Sequence, residues 1–103
     1  MKVYISGKIT GLPKEEYMYN FNQAERFLKK RGYSVINPAR VNGELPENTT
    51  TYEEYMKVSL TLLSFCDVIY MQENWMESKG TMIEWEYAVL HGIMAMYESI
   101  ERK

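Results

Sequence analysis

Two short stretches of this sequence put hydroxyl, carboxyl and glycine residues at spacings that chemistry can use. Ser6-Gly7 opens a turn that runs to Gly11, and Trp75 to Gly80 leads into Thr81-Met82-Ile83-Glu84. A glycine-containing turn that feeds a helix leaves backbone N–H groups free for an anion, and the hydroxyls of Ser78 and Thr81 add donors. Glu84 is the sharpest candidate for a nucleophile or base. Its spacing from Thr81, Thr-x-x-Glu, is also that of a capping box, in which Glu84 would only bond back to the Thr81 amide. On pattern alone the cap is favoured, because structural carboxylates outnumber catalytic ones even in clefts. Trp75 reads as a loop anchor or an aromatic platform. His91 suits a helix C-terminus. One histidine and one cysteine, far apart in the chain, make a poor ligand set, so neither a metal nor another cofactor is expected.

These residues need a scaffold, and the hydrophobic pattern predicts one. Lys2 to Ser6 is a β-branched and aromatic run ended by Gly7, the mark of a first strand. From Pro13 a helix is expected, with Glu15 and Glu16 at its positive end and Phe21, Ala24, Phe27 and Leu28 at helical spacing, closed by Gly32. Tyr33 to Ile36 is a second strand, ended by Asn37-Pro38. Residues 38–50 read as one long loop, of the kind that often carries function. A capping box from Thr50 or Thr51 to Glu53 or Glu54 starts the next helix, whose inward stripe is Tyr52, Tyr55, Met56, Ser59, Leu62 and Leu63. Val68 to Met71 is apolar without alternation, as in a strand covered on both faces. A third helix from about Thr81 to His91 and a short strand, Ile93 to Tyr97, complete the order β-α-β-α-β-α-β.

Alternation of this kind predicts a parallel sheet with right-handed crossovers. The expected fold is α/β, a flavodoxin-like, Rossmann-like three-layer sandwich with four strands ordered 2-1-3-4, occupying residues 1–103 as a single domain. Ligands of such folds bind at the carboxyl ends of the strands, beside the switch point between strands 1 and 3. That point brings Ser6-Gly7 and the segment from Asn74 to Glu84 together.

Composition narrows the partners. The chain has 103 residues, 46% hydrophobic and 25% charged, with a formal charge of -2, and its basic residues form no stripe for a nucleic-acid polymer. No apolar run approaches the ~18 residues of a membrane span. The lone Cys66 stands in an apolar run, which fits a buried thiol in a reducing compartment, and a cytoplasmic location is expected.

Val-Tyr-Ile-Ser-Gly-x-Ile-Thr-Gly at 3–11, with Ser78-x-Gly80-x-x-x-Glu84-x-x-x-Ala88, resembles the nucleoside 2-deoxyribosyltransferase superfamily, which includes the 2'-deoxynucleoside 5'-phosphate N-hydrolases. The chain looks closest to a short branch of it, similar also at Tyr55-Met56 and Cys66-Asp67-Val68. The resemblance implies cleavage of the N-glycosidic bond of a deoxynucleoside or its 5'-monophosphate. It implies Glu84 as nucleophile, Ser78 at the 5' end, and Tyr4 near the sugar and the catalytic carboxylate. Ser6, Gly7, Ser59, Trp75 and Gly80 would complete the substrate site. It further implies a homo-oligomer, since members complete their sites across subunit contacts. One departure stands out: the family acid that protonates the leaving base falls at Ser59, which has no carboxyl group. A nucleotide-binding module that has lost turnover is therefore the alternative, and a glycosidase acting on another N-riboside, such as a nicotinamide dinucleotide, ranks third. Glu54 and Glu73 are candidate substitutes for the missing acid.

Overall fold

The computed structural model describes residues 1–101 and contains one four-stranded, all-parallel sheet in the order β2-β1-β3-β4. The strands are β1 (Lys2–Ser6), β2 (Ser34–Ile36), β3 (Val68–Met71) and β4 (Met94–Tyr97). The helices are α1 (Lys14–Lys30), α2 (Pro38–Asn42), α3 (Tyr52–Ser64), α4 (Lys79–Leu90) and α5 (Glu98–Glu101), with one 3-10 turn at Trp75–Glu77. This is the flavodoxin-like arrangement that the alternation of strands and helices predicts. No helix among the described residues is long and apolar enough to cross a membrane.

Both faces of the sheet are covered, which explains the uninterrupted apolar run of β3. Val3, Ile5, Val68 and Tyr70 pack with Phe21, Ala24 and Leu28 of α1. On the other face Tyr4, Ile69 and Met71 pack with Leu63 of α3 and Ala88 of α4. Side chains alternate along a strand. Tyr4 and Ser6 therefore share the face covered by α3 and α4, and this parity decides which residues can meet Glu84.

The helix starts follow local chemistry. Thr51 caps α3 in a reciprocal box: its side chain accepts from the Glu54 amide at 3.1 Å, and Glu54 accepts from the Thr51 amide at 2.8 Å. Glu54 is thereby committed to structure. The start of α4 departs from expectation. It lies two residues ahead of Thr81, with Ser78 as N-cap, whose Oγ accepts from the Thr81 amide at 3.2 Å. With Ser78 filling that role, Thr81 becomes the third residue of the helix, and Glu84 sits inside the helix with no capping contact. His91 does close α4, and its Nδ1 lies 2.8 Å from the Tyr87 carbonyl.

Residues 38–50 are not all loop. Pro38 at the first helical position and Asn37 as N-cap, accepting from the Ala39 amide at 3.1 Å, start the short helix α2. Buried Glu25 of α1 anchors it. Glu25 accepts from Asn37 Nδ2 at 3.0 Å and pairs with Lys29 at 2.6 Å and Arg40 at 3.4 Å. Burial would raise the pKa of Glu25, but the hydrogen bonds from Lys29 and Asn37 and the charges of Arg40 and Lys29 prevail and hold it below the ordinary carboxylate value. Cys66 is buried and forms no disulfide, and burial pushes its thiol up to about 11, so it behaves as an apolar residue.

Candidate active site

At the carboxyl end of β1 the chain passes from Ser6 to Gly7 and on into α1. The approach at Gly7 is close: a Cβ there would lie 2.5 Å from the end of the buried Gln72 side chain, which would have to shift to admit it. On the β3 side, the loop leading to α4 is tied to the β1 loop by the Lys8 amide, which donates to Asn74 Oδ1 at 3.1 Å. Lys8 Nζ also lies 3.8 Å from Glu77. The switch point thus carries two loops joined to each other.

Between them lies a cavity of about 670 Å³, in the range of small-molecule sites. Its floor includes Gly7, Thr81 and Glu84. One wall is α3, through Tyr52, Tyr55, Met56 and Ser59, and another is the end of α2 with Asn42, Gly43 and Leu45. The first residues of α1 and α4, Lys14 and Lys79, bring two helix N-termini and two ammonium groups to its rim.

Glu84 is 7% exposed, and no lysine or arginine among the described residues forms an ion pair with it. Two hydroxyls hold it. Ser6 Oγ donates to Oε1 and Tyr4 OH donates to Oε2, each at 2.5 Å. Burial raises the Glu84 pKa to about 7 against the opposing pull of these two hydrogen bonds. Burial, and then the adjacent charge of Glu84, push the Tyr4 hydroxyl well above its ordinary value, so Tyr4 stays protonated as a donor. A hydrogen bond from Ser59 to Tyr4 acts in the opposite sense and places the serine beside the tyrosine. A buried carboxyl with no cation, facing a cavity and titrating near neutrality, costs stability and is a frequent mark of a functional site.

The structure therefore brings together Tyr4, Ser6, Gly7, Ser59, Ser78, Gly80 and Glu84. Gly80 approaches α3 closely: a Cβ there would meet Met56 Sδ at 3.3 Å and Tyr52 OH at 3.4 Å. Trp75 is not part of this group. Its ring stacks on Trp85 at 5.9 Å and packs against Tyr97 at 5.9 Å, outside the cavity lining, because the 3-10 turn directs it toward β4. It is an anchor and not a platform for ligand. Glu54 and Glu73 also fail to reach: Glu54 caps α3, and the exposed Glu73 makes its contact through its amide to Glu98. The cavity's other carboxyl groups, Glu47 and Glu77, are exposed. The wall contributed by α2 was not legible in the motifs. Its only signal was that residues 38–50 lie at a strand end.

A family model described as a domain of unknown function, DUF4406, matches residues 1–97. The chain belongs to the DUF4406 family. No curated protein matches this DUF4406 chain. Among solved structures it is similar to a 2-deoxyribosyltransferase from the psychrotolerant bacterium Bacillus psychrosaccharolyticus, with a TM-score of 0.71 and 20% sequence identity over 94% of this chain and 71% of that one. At that identity the likeness establishes a shared fold.

Proposed function

We propose that this protein cleaves the N-glycosidic bond of a deoxynucleoside or a deoxynucleoside 5'-monophosphate, with Glu84 as nucleophile. The observation that carries this reading is the buried, cation-free Glu84 carboxyl in the cavity floor, held by Tyr4 and Ser6. Its fold is shared with a deoxyribosyltransferase. In the reaction a Glu84 oxygen bonds to C1' as the C1'–N bond breaks, and the base departs with the electron pair and takes up a proton. Water, or the nitrogen of a second base, then attacks C1' from the vacated side and releases the carboxylate, giving net retention. Water makes the protein a hydrolase and a base makes it a transferase. Tyr4 and Ser6 orient the carboxylate. The N-terminus of α4, with Ser78, Lys79 and Gly80, receives the 5' end of the sugar.

Release of free base from a panel of deoxynucleosides, their 5'-monophosphates and nicotinamide dinucleotides tests the reading. Because Glu84 must be ionised to attack, kcat/KM is expected to rise with pH and level off above about 7. A rate that is flat from pH 5 to 9, or that falls across that range, would exclude Glu84 as the ionising nucleophile. The second reading, a binding module without turnover, is favoured by Ser59, and binding without release of base from any member of the panel would establish it.

We also propose a homo-oligomer. Trp75 and Trp85 are occupied within the chain, but α4 and its surroundings expose Met82, Val89, Leu90 and Met94, together with Phe65 at the end of α3. These exposed apolar side chains suit a contact with a second copy of the chain, which carries matching chemistry. Light scattering at micromolar concentration is expected to give a multiple of 12.2 kDa. A monomer mass would refute it.

A further inference from the structure

Thr81 belongs to the cavity floor, and the reaction above gives it no part. It is 2% exposed and lies three residues, one helical turn, ahead of Glu84 on the buried face of α4. The hydroxyls around it are engaged. Those of Tyr4 and Ser6 hold Glu84, Ser59 is hydrogen-bonded to Tyr4, and Ser78 Oγ accepts from the Thr81 amide. The Thr81 hydroxyl itself enters no hydrogen bond among the described residues. Nor is it one of the unpartnered atoms sealed inside the protein. The small area of Thr81 that stays accessible therefore includes this oxygen, and it opens on the cavity that the residue lines. A nearly buried hydroxyl with no partner of its own and one open side is placed to hydrogen-bond what fills the cavity.

We propose that Thr81 binds the 3'-hydroxyl of the sugar, so that 2'-deoxynucleosides and their nucleotides are preferred over 2',3'-dideoxy forms. The inference rests on the nucleoside reading above. Glu84 displaces the base from the opposite face of the sugar, so that face lies over α4. A 2'-deoxy sugar carries one polar substituent on it, the 3'-hydroxyl. With C1' beside Glu84 and the 5' end at the start of α4, C3' falls between them, over the turn that Thr81 occupies. The base, on the other face, is out of reach of this residue, and the 5' end is taken by Ser78, Lys79 and Gly80. Threonine and a secondary alcohol each have a donor and an acceptor, so one bond uses both groups. A sugar lacking the 3'-hydroxyl would exclude water from Thr81 and leave its hydroxyl unpaired, which is unfavourable in a site this enclosed.

The test is calorimetric binding to the full chain carrying Glu84→Gln, which prevents turnover, with the four common deoxynucleosides and their 2',3'-dideoxy counterparts, each also as its 5'-monophosphate. The deoxy forms are expected to bind about 10-fold more tightly than the dideoxy forms. Adding Thr81→Val should remove that difference by weakening the deoxy forms alone, and Thr81→Ser, which keeps the hydroxyl, should retain it. Equal binding of deoxy and dideoxy forms with Thr81 intact overturns the proposal and leaves the nucleoside reading in place. A difference that persists undiminished in Thr81→Val overturns it as well. Failure of every nucleoside and nucleotide to bind overturns both. Should Thr81→Val not fold, Thr81→Ala takes its place, and equal binding with Thr81 intact is decisive by itself.

Discussion

Glu84→Gln is expected to lower base release by ~10⁴-fold or more, the scale of losing a covalent nucleophile, while making the protein more stable at neutral and alkaline pH. The two effects have one cause. Folding takes the Glu84 carboxyl from an ordinary carboxylate value of 4.5 to about 7, because burial penalises the charged form more than the Ser6 and Tyr4 hydrogen bonds favour it. The folded state therefore binds this proton more tightly than the unfolded chain does. The resulting contribution to stability is fully present below the unfolded pKa and is lost as pH rises through about 7. The shift corresponds to roughly 3 kcal/mol, as an order of magnitude. The amide introduced by Glu84→Gln carries no charge to bury, so the variant should gain on wild type as pH rises from 5 to 8, and the two should converge toward pH 4. A carboxylate serving only as a helix cap predicts the opposite, a loss of ~1 kcal/mol on removal. Denaturant titrations at pH 4, 6 and 8, paired with base-release assays, check both halves. Full turnover by a folded Glu84→Gln protein would remove Glu84 from the mechanism.

The second large effect is expected at Ser59. This side chain is 5% exposed, lines the cavity, and stands beside the Tyr4 hydroxyl. A serine there can bind but cannot protonate the leaving base, and the other carboxyl groups of the cavity lining, Glu47 and Glu77, are exposed and lie on its rim segments. Wild-type turnover should accordingly be slow for bases that need proton assistance and faster for those that leave readily. Ser59→Asp places a carboxyl in a site that is already poor in water and already holds Glu84. Burial and the neighbouring carboxylate both raise its pKa, which keeps it protonated as an acid near neutrality. The gain should reach ~10²–10⁴-fold for the poorest leaving groups and shrink as leaving ability improves. The same like-charge pairing should move the rising limb of the pH profile above the wild-type position. Single-turnover base release across bases of graded leaving ability checks this. Wild-type rates typical of enzymes, with no gain in Ser59→Asp, would mean that another group supplies the proton.

Much of the scaffold is legible because its signals are local. The apolar run of β3, the spacing of Phe21, Ala24 and Leu28, and the capping box at Thr51 and Glu54 each depend on residues a few positions apart, and each formed as expected. Where two local signals competed, the outcome needed the structure. Ser78 and Thr81 both have the chemistry of an N-cap, and the choice of Ser78 moved Glu84 from a capping position into the buried face of α4. Asn37-Pro38, expected only as the end of a strand, also begins the helix α2. The contacts of Asn37 with Glu25, twelve residues back, favoured the helix. The place of Trp75 was hidden for a similar reason, since its partners Trp85 and Tyr97 lie ten and more residues further along.

The sequence by itself determined the order of the four strands and of the three longer helices between them, the parallel sheet with its switch point, and the meeting of the Ser6-Gly7 turn with the segment that ends at Glu84. Periodicity, turn residues and the handedness of crossovers are enough for that. Only the tertiary structure decided the state of Glu84. Its partners Tyr4 and Ser6 stand 80 and 78 residues away, and they reach it because β1 pairs with β3 in the register Tyr4 to Ile69 and Ser6 to Met71, with their side chains on the face that α4 covers. Burial and the pKa that follows from it are properties of that assembled environment, and no short window of the chain contains them.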